Sequence, residues 1–258
     1  MQILREFRPG PFGRGIVFVL AAFSVLSFPG GAPSSLAAPR TDGPDAGEDK
    51  SKMFFELGVS NLLQDRRTAA RSYFQRSERA EGEFSDEARV FLVRLAARAG
   101  SNPGQKRLPG IRAILRRIKN PEIQRKGWLA SVQSLYSQGV FEEALAQAQE
   151  GTRRFPGTRT ADALGIIAAE ILMERRRDTA ALEELFRVIG RDPGGKREFT
   201  DDAYYFTAKI YAAQGPLRDV RKALGALEAF FSFKTPVFLK SGWREPAMRL
   251  RNKLLRGE

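Results

Sequence analysis

Whatever chemistry this chain performs falls to carboxylates, lysines, arginines and tyrosines, because its 258 residues include no cysteine and no histidine. Those two absences exclude Ser-His-Asp and Cys-His nucleophilic machinery, an imidazole general base, and zinc held in the usual Cys/His manner. Disulfides are excluded with them. Among the carboxylates, Glu170 and Glu174 stand four apart and share a helix face. Such a pair could in principle act as acid and base, but at this spacing it is ordinary surface decoration, and it is read so. The sequence arranges no catalytic residues, no metal ligands and no cofactor site.

Arginine is the more conspicuous functional residue. With 43 Lys+Arg against 30 Asp+Glu the formal charge is +13, which speaks to acidic partners or surfaces. The densest groups are Arg66-Arg67, Arg175-Arg176-Arg177, and Arg218 with Arg221 and Lys222. A further group, Arg112, Arg116, Arg117 and Lys119, lies on a segment whose other face is apolar. Guanidinium groups bind phosphates and carboxylates in a fixed fork geometry, although in so arginine-rich a chain a solvated surface is the plainer reading.

The elements that position these groups are helices. From about Lys50 the apolar residues recur at i, i+3, i+4, i+7, as in Phe55, Val59, Leu62; Phe91, Leu92, Leu95; Ile111, Leu115, Ile118; and Leu164, Ile167, Ile171. No stretch alternates with a period of two, and a 42% hydrophobic fraction supports one substantial core. The fold class is all-α. Ser85, Thr160 and Thr200, each followed by acidic residues, are expected N-caps, with carboxylates in the first turn of the same helix. Pro156 and Pro193 stand 37 residues apart, as do Ala144 and Ala181, and Ala70 precedes Ala144 by twice that distance. A period of this size means stacked helix pairs that cannot bury their apolar faces singly. The run Phe230 to Leu239 is the densest apolar strip of this region, expected to fold over the last pair beneath a helix near Pro246.

Residues 1–37 have the form of an export signal: Arg5, Arg8 and Arg14, then a 13-residue apolar run from Ile16 to Phe28, then Ser35-Leu36-Ala37. Thirteen residues reach about 20 Å as helix, short of a bilayer core of about 30 Å. Cleavage before Ala38 is expected, giving a periplasmic protein; the alternative is an uncleaved inner-membrane anchor with the body facing the periplasm. Because residues 1–37 carry three arginines and one glutamate, the remaining 221 residues keep +11. Residues 38–49 read as a flexible leader and 50–258 as the helical body.

The body resembles the tetratricopeptide repeat. Trp128, Leu135, Gly139, Ala144, Ala148, Gly151 and Pro156 stand at that motif's spacings. Phe54, Leu57, Gly58, Ala70 and Phe74 match it in the first pair, and Tyr204, Tyr211, Gly215 and Leu224 in the last, with Val220 in place of the usual alanine. The pair from Leu164 to Pro193 fits after a one-residue insertion. Least regular is the pair from Ala88 to Ile118, whose connection is long. With the export signal, the chain is similar to helical-repeat proteins of the bacterial cell envelope, such as the periplasmic coordinator of the Tol–Pal system and the lipoprotein of the outer-membrane barrel-assembly machine. It has no lipidation cysteine and so no lipid anchor of that kind.

The resemblance implies a right-handed α-solenoid of about five helix pairs with a C-terminal capping helix. It also implies a non-enzymatic scaffold for protein–protein interaction in an envelope complex. The first helices would line a groove, whose candidate residues are Phe55, Val59, Leu62, Val90, Leu129, Gln133, Tyr136, Tyr205 and Lys209. Most of the apolar ones are expected in the core, with Gln133, Tyr136 and Lys209 more exposed. The turns within pairs would align Arg66, Arg67, Arg175, Arg176, Arg177, Arg218, Arg221 and Lys222 as a basic ridge, interrupted by Glu142-Glu143. The alternative function is a basic module for an anionic envelope polymer or lipid headgroup. Nucleic acid is not an expected partner of an exported chain. Helical superstructures also accompany wall-degrading glycosidases, but the repeats leave no room for a catalytic domain and no Glu-Ser dipeptide of the lytic transglycosylase kind is present.

Overall fold

A computed structural model describes residues 50–98 and 107–257. The expected signal and leader, and most of the long connection after Arg98, lie outside the described residues. Among those described there are twelve helices and no strand. They form five consecutive pairs: α1 (Lys50–Leu63) with α2 (Arg67–Arg79), α3 (Ser85–Arg98) with α4 (Leu108–Arg117), α5 (Pro121–Tyr136) with α6 (Phe141–Arg154), α7 (Arg159–Glu174) with α8 (Asp178–Gly190), and α9 (Thr200–Ala212) with α10 (Val220–Ser232). A short α11 (Pro236–Leu239) and α12 (Arg244–Leu255) follow. Each first helix packs on its own partner and on the neighbouring pair, so the chain is an all-α, solenoid-like stack.

The packing follows from the 3.6-residue stripes read above. Phe74, Ala70, Ala88 and Leu92 form a first cluster with Phe55, Val59, Leu62 and Phe91 around it. A second and larger cluster runs from Val93 to Leu254. Close approach at Gly151 holds α6 against its neighbours: a Cβ there would stand 2.4 Å from Leu164 Cδ1 and 2.6 Å from the Trp128 indole. That indole donates its N–H to the Gln147 carbonyl at 2.8 Å. The strip from Phe230 to Leu239 folds back as its composition required. Phe230 and Phe238 are fully buried, with ring centroids 5.2 Å apart, and Phe233 lies 4.7 Å from Phe238.

The helix starts are corrected in detail. Thr158, two residues before Thr160, caps α7 by accepting from the Ala161 N–H at 3.2 Å. Ser85 and Thr200 are the first helical residues of α3 and α9 and not their caps. The Ser85 hydroxyl donates to the Gly82 carbonyl, and that of Thr200 donates to Asp192 at 2.7 Å.

The first-turn carboxylates, expected to serve their own helix, instead reach the next connection or the C-terminal segment. Asp86 accepts from the backbone N–H groups of Lys119 and Asn120 at 3.0 and 2.7 Å. Asp162 pairs with Arg191 and Arg197 at 2.8 and 2.6 Å. Asp202 accepts from the Trp243 indole N–H at 2.6 Å. Each side chain is at least nine-tenths buried as a residue, where an unmade hydrogen bond is costly. These carboxylates therefore bind successive parts of the stack together.

Candidate functional site

The face built by α5, α7 and α9 gathers one polar cluster. Tyr136, at the end of α5, donates its hydroxyl to Glu174 Oε1 on α7 at 3.3 Å. Its phenol is raised above the ordinary tyrosine range by burial and by the charges of Glu170 and Glu174. Glu170, one turn before Glu174, is only 7% exposed, and its Oε2 is buried with no hydrogen-bond partner. Burial, then the charges of Asp202 and Glu174, push its carboxyl up to about 8, against the favourable charge of Lys209 on α9. The Lys209 ammonium is lowered by burial, an effect opposed by Glu170. Burial thus favours the neutral Glu170 carboxyl, a polar group that can donate or accept.

This corrects the surface reading of the Glu170–Glu174 pair, for Glu174 is exposed but Glu170 is not. Every residue of α7 from Ala161 to Leu172 is buried. A helix apolar on all sides belongs in the centre of a stack, and that all-round character was the available signal.

The remaining groove residues divide as follows. Leu129 is 8% exposed and belongs to the core, not to a groove surface. Phe55 lies against Phe74, Phe84 and Phe91, with centroids 5.2 to 5.8 Å away, and Val59 and Leu62 pack on the same cluster. Val90 packs on the larger core. Tyr205 stacks on Trp243 at 4.5 Å and 13°, so the C-terminal segment occupies one of its faces. Gln133, Tyr136 and Lys209 remain half-buried.

The turns within pairs fall on one edge of the stack. Three of them share a hydrogen-bond pattern: Arg66 N–H donates to Asn61 C=O, Val140 to Leu135 and Arg177 to Leu172, at 2.8 to 3.0 Å. In each the preceding residue is left-handed: Asp65 at φ 58°, Gly139 at 71° and Arg176 at 57°. This is the Schellman ending of a helix, whose left-handed residue is usually glycine. Neighbouring turns abut. Arg107 donates to Gln138 at 3.1 Å, and the Arg175 guanidinium lies 5.2 Å over the Phe141 ring, 3.9 Å from Glu142.

The expected interruption of the ridge is reduced, because Glu143 turns into the neighbouring pair. There it accepts from the N–H groups of Arg107 and Leu108 at 3.1 and 3.0 Å, at the start of α4. Of the ridge cations, Arg67 pairs with Asp65 at 2.8 Å, Lys222 with Asp219 at 3.4 Å, and Arg218 donates to Gln214. Arg66, Arg176, Arg177 and Arg221 are exposed and have no partner among the described residues.

On the opposite edge, where one pair connects to the next, carboxylates tie several arginines, while Arg79, Arg116, Lys119, Arg153 and Lys196 stay exposed without an ion pair among the described residues. Arg89 bridges Glu78 and Asp86 at 3.1 and 2.5 Å, Arg117 reaches Glu78 at 3.2 Å, and Arg159 pairs with Glu198. The basic group of α4 is accordingly dispersed: Arg117 faces this edge, while Arg112 pairs with Glu150 of α6. Among the described residues no group of acidic side chains could hold a metal ion, and no helix is long and apolar enough to cross a membrane. No protein-family model matches the sequence, and no curated protein matches it.

Proposed function

We propose that the chain is a non-enzymatic scaffold of tetratricopeptide-like repeats, exported to the periplasm, which holds a protein partner of the cell envelope against the face of its first helices. What supports this reading is the cluster of Tyr136, Glu170, Glu174 and Lys209, drawn from three successive first helices. Its polar groups stand at mixed depth, from the exposed Glu174 to the buried Glu170, and Glu170 Oε2 still lacks a hydrogen bond. A rigid stack that presents a half-buried tyrosine beside an exposed carboxylate can bind by contact alone. Tyrosine supplies a large contact area at low entropic cost.

Photocrosslinking in the cell tests this. A photoreactive residue at Gln133, beside the cluster, captures a discrete protein that is lost on Glu174→Lys. The same residue at Ala146, exposed on a second helix, does not capture it. Equal capture at both positions, or none at either, rejects the reading.

A further inference from the structure

The turn edge carries a second surface, adjoining the first-helix cluster at the ends of α5 and α7. Four of its cations, Arg66, Arg176, Arg177 and Arg221, are exposed and make no ion pair among the described residues. Arg176 sharpens the point. It occupies the left-handed position that Gly139 fills one repeat earlier, a conformation that costs a residue with a Cβ roughly 1 kcal/mol. An arginine there makes no ion pair among the described residues in return, so its charge faces outward at the expense of local stability.

The same edge also shows an apolar residue. Leu63, which ends α1 three residues before Arg66, is 66% exposed, more than any other large apolar side chain among those described. A dissolved polyanion has no use for a leucine at its binding edge, whereas a bilayer takes both: the arginines meet phosphates and the leucine enters the interface. From the exposed row of Arg66, Arg176, Arg177 and Arg221 with Leu63 beside it, we infer that the turn edge docks the stack on an anionic membrane surface. The first-helix cluster borders that edge, since Tyr136 and Glu174 end α5 and α7 and Glu174 stands two residues before Arg176.

The test measures partition of the full chain between vesicles of phosphatidylglycerol in phosphatidylcholine and vesicles of phosphatidylcholine alone. Residues 1–49 are the same in every variant, so differences between variants report the edge. Wild type prefers the anionic vesicles at least tenfold, and the preference falls with rising salt. Reversal at the turn edge, R176E/R177E/R221E, brings the ratio within twofold of unity. An equal charge change at exposed positions elsewhere, R116E/R153E/K196E, keeps most of it. Leu63→Asn weakens binding to anionic vesicles several-fold and leaves binding to soluble polyphosphate unchanged. Should the reversal reduce helix content, R176G/R177S/R221S serves in its place. Equal losses in the two triple variants overturn the inference in favour of net charge alone. Polyphosphate binding as tight as vesicle binding, with Leu63→Asn silent in both, overturns it in favour of a soluble polyanion.

Discussion

The two edges of the stack are built from the same residue types but differ in where their buried carboxylates lie. Where pairs connect, buried carboxylates reach across the junction: Asp86 to the start of α5, Asp162 to Arg191 and Arg197, and Asp202 to Trp243. In three of the turns within pairs the backbone closes its own hydrogen bonds through the shared Schellman pattern, and Arg66, Arg176 and Arg177 make no ion pair there among the described residues. The difference teaches that abundance of arginine is not a signal by itself. What matters is whether the local backbone requires the charge.

The largest effect that could break this comparison is at Asp162. Asp162→Ala leaves two arginines without their buried partner, and breaking such a pair costs roughly 3–5 kcal/mol when both ions are buried. With the arginine side chains 24% and 31% exposed, the lower end, about 3 kcal/mol, is expected from urea unfolding. Next comes Trp243→Phe, which removes the indole N–H donated to Asp202 and should cost about 1–3 kcal/mol. A loss below 0.5 kcal/mol in either variant would mean that the connections are not held by these carboxylates.

A pH series probes the first-helix cluster. The Glu170 carboxyl is raised from 4.5 to about 8 by burial. Its favourable contribution is therefore complete below about pH 4.5 and is lost as pH rises through 8. Stability of wild type relative to Glu170→Gln should accordingly decline between these limits, as followed by urea unfolding at several pH values. A difference that stays flat would show that Glu170 titrates like an exposed carboxylate. Smaller again is Arg176→Gly, which relieves the left-handed strain and should stabilise the protein by up to about 1 kcal/mol. That is the opposite sign to the changes expected at Asp162 and Trp243.

Much of the fold was legible because helices and their pairing are local. Apolar spacing gave the pairs, Pro156 and Pro193 gave two of the breaks, and the density of Phe230 to Leu239 required a cover. The repeat of 37 residues reappears in the backbone as the interval between left-handed Gly139 and Arg176. What spacing could not reveal was the destination of polar side chains. Asp202 and Trp243 lie 41 residues apart and Asp86 and Asn120 lie 34 apart, so a first-turn carboxylate reads as a cap until the neighbouring repeat is in place. Glu170 was misjudged for the same reason. Its i, i+4 relation to Glu174 is visible on one helix, but its burial is set by α5 and α9. Leu129 and Tyr205 show the converse, since a first-helix position is a groove only where no later segment covers it.

The central claim, that buried carboxylates at the connections hold the stack together and the exposed turn arginines do not, is tested most directly by removing those four arginines together. Equilibrium urea unfolding of R66A/R176A/R177A/R221A should give a midpoint equal to or above that of wild type with an unchanged slope, since surface substitutions free of partners lie within about 0.5 kcal/mol each. A loss of more than about 2 kcal/mol, several times that single-site scale, would contradict the account and return these arginines to the fold.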